Sequence, residues 1–214
     1  MARITVVGGT GYAGSHIVRE AAARGHRVTA IAREVPTEQV PGVTYVAADV
    51  LDPAVVNDAV AETDVVVEAL SPRGALQGRL VDVVRVLAAA AQAAGVRLAV
   101  AGGAGSLMVS EGGPALVDTE GFPSEFKAEA AELAQVLADL RSSDEDLDWF
   151  YVSPAAGFGP WAAGERTGTF RTGGDVLLVD AEGNSNISGA DYAQAFVDEI
   201  ETPAHRRQRF TVAY

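Results

Sequence analysis

Close to its amino terminus the chain runs from an apolar segment, Ile4-Thr5-Val6-Val7, straight into Gly8-Gly9-Thr10-Gly11-Tyr12-Ala13-Gly14. Ile17, Val18, Ala21 and Ala22 follow at helical spacing. A strand, a glycine-rich turn and a helix in immediate succession restrict the fold more than any other part of the sequence. Such a unit is stable only when its strand is buried in a sheet and its helix packs back over it. Gly8 allows a turn that a Cβ would obstruct, Gly11 allows close approach of a phosphate, and Gly14 lets the helix lie against the strand. The helix start offers free N–H groups and roughly half a positive charge, a ready anion site. The spacing is G-x-x-G-x-x-G, not the G-x-G-x-x-G of the commonest dinucleotide turns. Gly8, Thr10, Gly11, Tyr12, Ala13 and Gly14 are the expected pyrophosphate cradle, with a purely structural turn as the alternative.

The rest of the chain repeats this alternation. Strands are predicted at 27–31, 43–47, 64–68, 96–101, 147–152 and 209–212. One helix is predicted on the stripe Leu80, Val83, Val84, Leu87 and Ala91. Another spans 124–142, with Ser124 as its cap and Leu133, Val136, Leu137 and Leu140 as its buried face. A third starts at Ser188 with Asp191 as its capping partner. The expected fold class is α/β, a doubly wound parallel sheet covered on both faces. At 214 residues the chain is expected to form one domain, 1–214, with 154–188, where short segments such as 176–179 sit among glycines, as a small substrate-side lobe. The glycine-rich stretch 102–123 reads as a long loop at the carboxyl ends of the strands, where ligands bind in such sheets.

Composition removes several classes of function. There is no cysteine, which excludes disulfides, thiolate metal sites and cysteine nucleophiles. The formal net charge is −13 with no basic cluster, so no nucleic-acid partner is expected. His16, His26 and His205 have no ligand-like spacing, and no metal site is expected. No apolar run is long enough for a membrane span, and no charged leader precedes an apolar stretch, so a cytoplasmic protein is expected. The oligomeric state is left open.

Arg33 stands just past the second strand, about 20 residues beyond the glycine turn, where a carboxylate would hold the ribose of NAD and an arginine suits the 2′-phosphate of NADP. The cofactor expectation is NADP(H) in preference to NAD(H), although the adjacent Glu34 could serve the NAD ribose. Asp49 and Val50 follow the third strand, placed to meet the adenine amino group and ring; a turn or cap role is the alternative for Asp49, with Asp52 the better cap. Ala69, Leu70 and Ser71 end the fourth strand and leave room for the nicotinamide ribose.

The tyrosine–lysine pair of short-chain dehydrogenases is missing. The single lysine, Lys127, has Pro123 four residues before it. Ser106, past the fifth strand, is the candidate catalytic hydroxyl, with a turn role as the alternative. Glu68, Asp118 and Glu120 are further proton-carrier candidates that spacing cannot place. Phe158 and Trp161 read either as stacking partners for a planar substrate or as loop packing. Arg166 and Arg171 read as binders of an anionic tail or as solvated charges.

Taken together, GGTGYAGS at 8–15, VAGGAGSL at 100–107, LVDTEGFPSEFK at 116–127, WFYVSPAAGF at 149–158, GERTGTFRTGGDVLLVD at 164–180, ISGADYAQAFVDE at 187–199 and RQRFTVAY at 207–214 resemble the atypical short-chain dehydrogenases of the NAD(P)H-binding, NmrA-like type. Within that group the chain is similar to the bacterial NADH–flavin reductase-like proteins and to biliverdin reductase B. The resemblance implies a Rossmann fold and a nicotinamide dinucleotide held by Thr10, Tyr12 and Ala13. It also implies that Ser153, Pro154, Ala155 and Ala156 border the nicotinamide. Phe126 departs from the tyrosine found in many relatives. The implied activity is hydride transfer from NADPH to a free flavin or a similar planar acceptor. The alternatives are a non-catalytic redox sensor that reads nicotinamide occupancy and an epimerase or dehydratase of the sugar-nucleotide type.

Overall fold

A computed structural model describes all 214 residues. Eight strands form one sheet: β1 (Arg3–Val7), β2 (Arg27–Ala32), β3 (Thr44–Ala47), β4 (Val65–Glu68), β5 (Arg97–Ala101), β6 (Trp149–Ser153), β7 (Arg171–Gly173) and β8 (Gln208–Ala213). Their spatial order is β3-β2-β1-β4-β5-β6-β8-β7, with every pair parallel except β7 on β8. The order reverses between β1 and β4, so this is the doubly wound Rossmann architecture, with its crevice at the carboxyl ends of those two strands.

Five helices cover the sheet: α1 (Tyr12–Ala23), α2 (Pro53–Val60), α3 (Leu80–Ala94), α4 (Lys127–Arg141) and α5 (Gly189–Glu201). α1 and α5 bury Ile17, Val18, Ala21, Tyr192 and Phe196 on one face, together with Phe150 of β6. α2, α3 and α4 bury Val56, Leu80, Val84, Leu87, Leu133 and Leu137 on the other. β4, β5 and β6 are buried along their whole length, because a strand covered on both sides cannot alternate with polar residues. No helix is long and apolar enough to cross a membrane.

The helix caps divide. Asp52 caps α2 by accepting from Ala54 N at 2.9 Å, and Ser188 caps α5 by accepting from Asp191 N at 3.1 Å, both as expected. Ser124 does not cap α4. It begins a separate 3₁₀ turn, Ser124–Phe126, and α4 starts after Phe126 with no side-chain cap. In the lobe, the strand is Arg171–Gly173, and Val176 makes only an isolated bridge to Met108. Local apolarity favoured 176–179, but the free edge of β8 is taken by the segment whose Thr172 and Gly173 reach Val212 and Thr211.

Candidate functional site

The glycine turn lies against the exit of β4. Gly8 has φ +86°, a conformation open to glycine, and a Cβ there would come within 2.5 Å of Ala69 O. A Cβ on Gly14 would collide with Gly8 O, so α1 packs directly on the turn backbone. Gly9 has the same kind of need, with a Cβ meeting Ala30 Cβ at 2.7 Å, a constraint invisible without the neighbouring strand. Gly11 differs. It is exposed, it caps α1 in an extended conformation, and its side is open apart from Gly8 O at 3.3 Å and Ala69 O at 3.7 Å.

Ser15 N donates to Gly11 O as the first helical bond, so the amides of Tyr12, Ala13 and Gly14 begin the helix without intrahelical acceptors. No acidic side chain occupies the first turn of α1, and no side chain caps it. The turn thus has the narrow approach and the aligned donors that a dinucleotide pyrophosphate requires. Tyr12 offers its amide and not its hydroxyl. Its Oη is buried without a partner, and its ring packs edge-on to His16 and Phe158, each with centroids at 5.1 Å.

The remaining expected contacts line the same sheet edge. Arg33 and Glu34 are exposed one step beyond β2. Asp49 is exposed past β3 and its Oδ1 accepts from Leu51 N at 3.0 Å, so it also shapes its own turn; Val50 is buried beside it. Ala69 is buried, Leu70 half-buried and Ser71 exposed at the exit of β4. Beyond β6, Pro154 and Ala155 are both buried, with Ala155 in the core beneath α1 and α5. Ser153 Oγ donates to Gly103 O at 2.9 Å and ties the exits of β5 and β6 together.

One row of side chains crosses the sheet just below this edge. Register pairs Val7 with Glu68, Glu68 with Val100, Val100 with Tyr151, and Tyr151 with Arg209. Glu68 is 0% exposed, and its Oε1 accepts from Leu70 N at 2.7 Å while Oε2 has no partner. Burial without a countercharge pushes its carboxyl up to about 8. Tyr151 Oη accepts from Gly103 N at 3.0 Å and donates to Leu133 O at 3.2 Å. Gly102 is glycine because a Cβ would overlap that phenol ring. Arg209 donates to Asp175 at 2.6 Å and to Ser106 Oγ at 2.8 Å. Ser106 therefore has a lone pair engaged by a cation and its own proton unassigned.

Several other candidates are spoken for. Arg166 donates to both oxygens of Glu20, at 2.8 and 3.2 Å, and to Gln194; Arg171 donates to the carbonyls of Val179 and Tyr214. Both guanidiniums hold the lobe to the body and are not free for an anionic tail. Asp118 and Glu120 are exposed in the long loop. Asp191, buried, accepts from Thr167 N, Gly168 N and Tyr214 Oη, the last at 2.6 Å, and pins the lobe to the start of α5. A lone aspartate at a cap position gave no sign in the sequence of this second task.

The match to known proteins decides the family. The family model described as NAD(P)H-binding matches residues 8–203, which spans the glycine turn, both exits and the lobe. The chain belongs to the NAD(P)H-binding family. Among its relatives, YwnB of Bacillus subtilis is 40% identical over 212 residues, covering 98% of this chain and 97% of YwnB. A solved structure from Burkholderia pseudomallei, provisionally named an exported protein, is 47% identical with a TM-score of 0.87 and covers 100% of both chains. One from Streptococcus pneumoniae TIGR4, provisionally named an NADH-flavin reductase, is 33% identical with a TM-score of 0.86, covering 100% of this chain and 99% of that one. The expected resemblance to NAD(P)H-binding proteins with flavin reductase-like members holds.

Proposed function

We propose that this member of the NAD(P)H-binding family is a reductase that passes a hydride from NADPH to a free flavin or a similar planar acceptor. The observation that carries this reading is that every tyrosine hydroxyl is either buried or bonded within the protein, and none is paired with the lysine. Tyr151 and Tyr192 are buried, with hydroxyls bonded to backbone carbonyls. Tyr214 Oη donates to Asp191, Tyr45 Oη accepts from Val40 N, and Tyr12 Oη is buried. Phe126 stands directly before Lys127 with no hydroxyl to offer. A site without a phenol suits an acceptor whose reduction needs no positioned tyrosine proton.

When bound, the nicotinamide supplies the hydride. The chain's part is to hold and orient. The amides of Tyr12, Ala13 and Gly14 take the pyrophosphate, Asp49 and Val50 the adenine, and Arg33 the 2′-phosphate. The backbone of 69–71 and 154–155 borders the nicotinamide end, with Ala69, Leu70, Ser71, Pro154 and Ala155 as its residues. Ser106, with Arg209 on its lone pair, donates a hydrogen bond to the acceptor and polarises it, keeping its own proton. The single proton that accompanies the hydride comes from water, and most of the rate comes from proximity. The S. pneumoniae relative's name supports a flavin as acceptor.

Three outcomes test this reading. Arg33→Ser is expected to remove about ten- to a hundredfold of NADPH affinity relative to NADH, the worth of a hydrogen bond to a charged group. Titration with both cofactors measures it, and equal affinities in the parent protein would end the NADP assignment. NADPH oxidation is expected with FMN or FAD and not, in reverse, with simple alcohols. Lys127→Ala is expected to leave that rate unchanged, since no tyrosine is paired with it. Binding of NADPH with no turnover against a panel of flavins and quinones would replace the reductase by a sensor.

A further inference from the structure

Three connections leaving the carboxyl ends of β4, β5 and β6 meet in one aromatic stack. Phe126, ahead of α4, lies 5.8 Å from Trp161 with the rings 14° from parallel. The Arg73 guanidinium lies 5.5 Å from the Phe126 centroid and is paired with Glu129 at 2.7 Å. Trp161 is 61% exposed, and among the exposed large apolar side chains it is the one aromatic ring. The other tryptophan, Trp149, is fully buried.

This exposure is built. Gly159, at φ +154°, runs its backbone so close beneath the indole that a Cβ would collide with the six-membered ring. Ala162 N donates to Gly159 O at 3.0 Å and closes the turn that carries the indole. Phe158, three residues before Trp161, packs on Tyr12 of the glycine turn at 5.1 Å and on Tyr192 at 4.5 Å. The segment 158–161 thus bridges from the cofactor turn to Phe126, and its most exposed ring is fixed on two sides. A large electron-rich ring held rigidly while 61% exposed loses little freedom on stacking, which suits a flat electron-poor partner.

We infer that Trp161, backed by Phe126 and Gly159, is the platform on which the planar hydride acceptor stacks, and that the acceptor class is an electron-poor fused heteroaromatic ring of the isoalloxazine kind. This rests on the reductase reading and names the residue that selects its acceptor. Recognition is of the ring face, so riboflavin and FMN bind within a few-fold of each other.

The test is a titration of FMN and riboflavin into the full-length protein saturated with NADP⁺, followed by flavin anisotropy and by quenching of the exposed tryptophan. The parent should bind both flavins. Trp161→Ala should weaken both by about ten- to a hundredfold, the usual scale for deleting a stacking aromatic, while NADPH affinity stays within about twofold. Trp161→Phe keeps a ring and should retain most of the affinity. Flavin affinity unchanged in Trp161→Ala overturns the platform and leaves the reductase reading intact. No flavin binding to the parent protein overturns both.

Discussion

Gly11→Val is expected to raise the dissociation constant for NADPH by about a hundredfold or more, equivalent to about 2.7 kcal/mol, while the protein stays folded. Gly11 sits at the helix start in an extended conformation, φ −68° and ψ 172°, that any residue adopts, so the backbone stores no strain on substitution. Its Cβ would lie 3.3 Å from Gly8 O, a contact relieved by a small shift. The valine methyls then fill the approach to the amides of Tyr12, Ala13 and Gly14, which carry the pyrophosphate in the proposed mode. A cost on the order of 1 kcal/mol to the fold lowers the melting temperature by about 2–4 °C in a domain of this size. Gly14→Val marks the contrast, because its Cβ collides with Gly8 O, and that variant is expected to lose stability along with binding. Calorimetric titration and thermal melts on the two variants separate the cases. Unchanged NADPH binding by a folded Gly11→Val protein would reduce the turn to a structural element.

The second large effect concerns pH. Glu68 titrates at about 8 in the folded protein against an ordinary value of 4.5, since it is wholly buried with no countercharge. Between those values the native state holds one proton more than the unfolded chain, so this residue makes stability fall as pH rises. Its contribution is fully present below about pH 4.5 and is lost progressively up to about pH 8. The slope is about 1.36 kcal/mol per pH unit, which accumulates to a difference on the order of 4 kcal/mol. Glu68→Gln keeps the shape and an acceptor for Leu70 N but cannot ionise. Parent and variant are therefore expected to have similar stability near pH 4.5 and to diverge steadily toward pH 8, with the variant more stable. Urea unfolding of both proteins at several pH values measures the gap, and every other titrating group cancels in the comparison. A gap independent of pH would show that Glu68 is ionised throughout. The bond from Leu70 N to Glu68 Oε1 couples this carboxyl to the Ala69–Leu70 backbone against which Gly8 turns.

Much of the site could be read along the chain because its constraints are local. β1 runs from Arg3 to Val7 and the helix begins at once behind the glycines, since apolar β-branched residues followed by glycine allow little else. The buried stripe of α3 and the Ser188 cap of α5 are also short-range patterns, and both appear as expected. The burial of Glu68 and the fate of Arg166 and Arg171 could not be read this way. A glutamate ending VVVE could equally be the first solvated residue after a strand. Only its register beside Val7 and Val100, under three helices, removes its water.

The sequence by itself determined the doubly wound fold, the place of the glycine turn and the absence of a tyrosine–lysine pair. Each of these depends on residues within a few positions of one another, where backbone geometry and side-chain period act directly. Tertiary structure alone decided which arginines are consumed by Glu20, Asp175 and the chain terminus, and that Asp191 holds the lobe. It also decided that Phe126 and Trp161, far apart in sequence, share one stack. These outcomes depend on which distant groups compete for the same partner. A guanidinium, a buried carboxyl or an exposed ring takes its role from the charge, water and surface that folding leaves beside it, and no local pattern encodes that remainder.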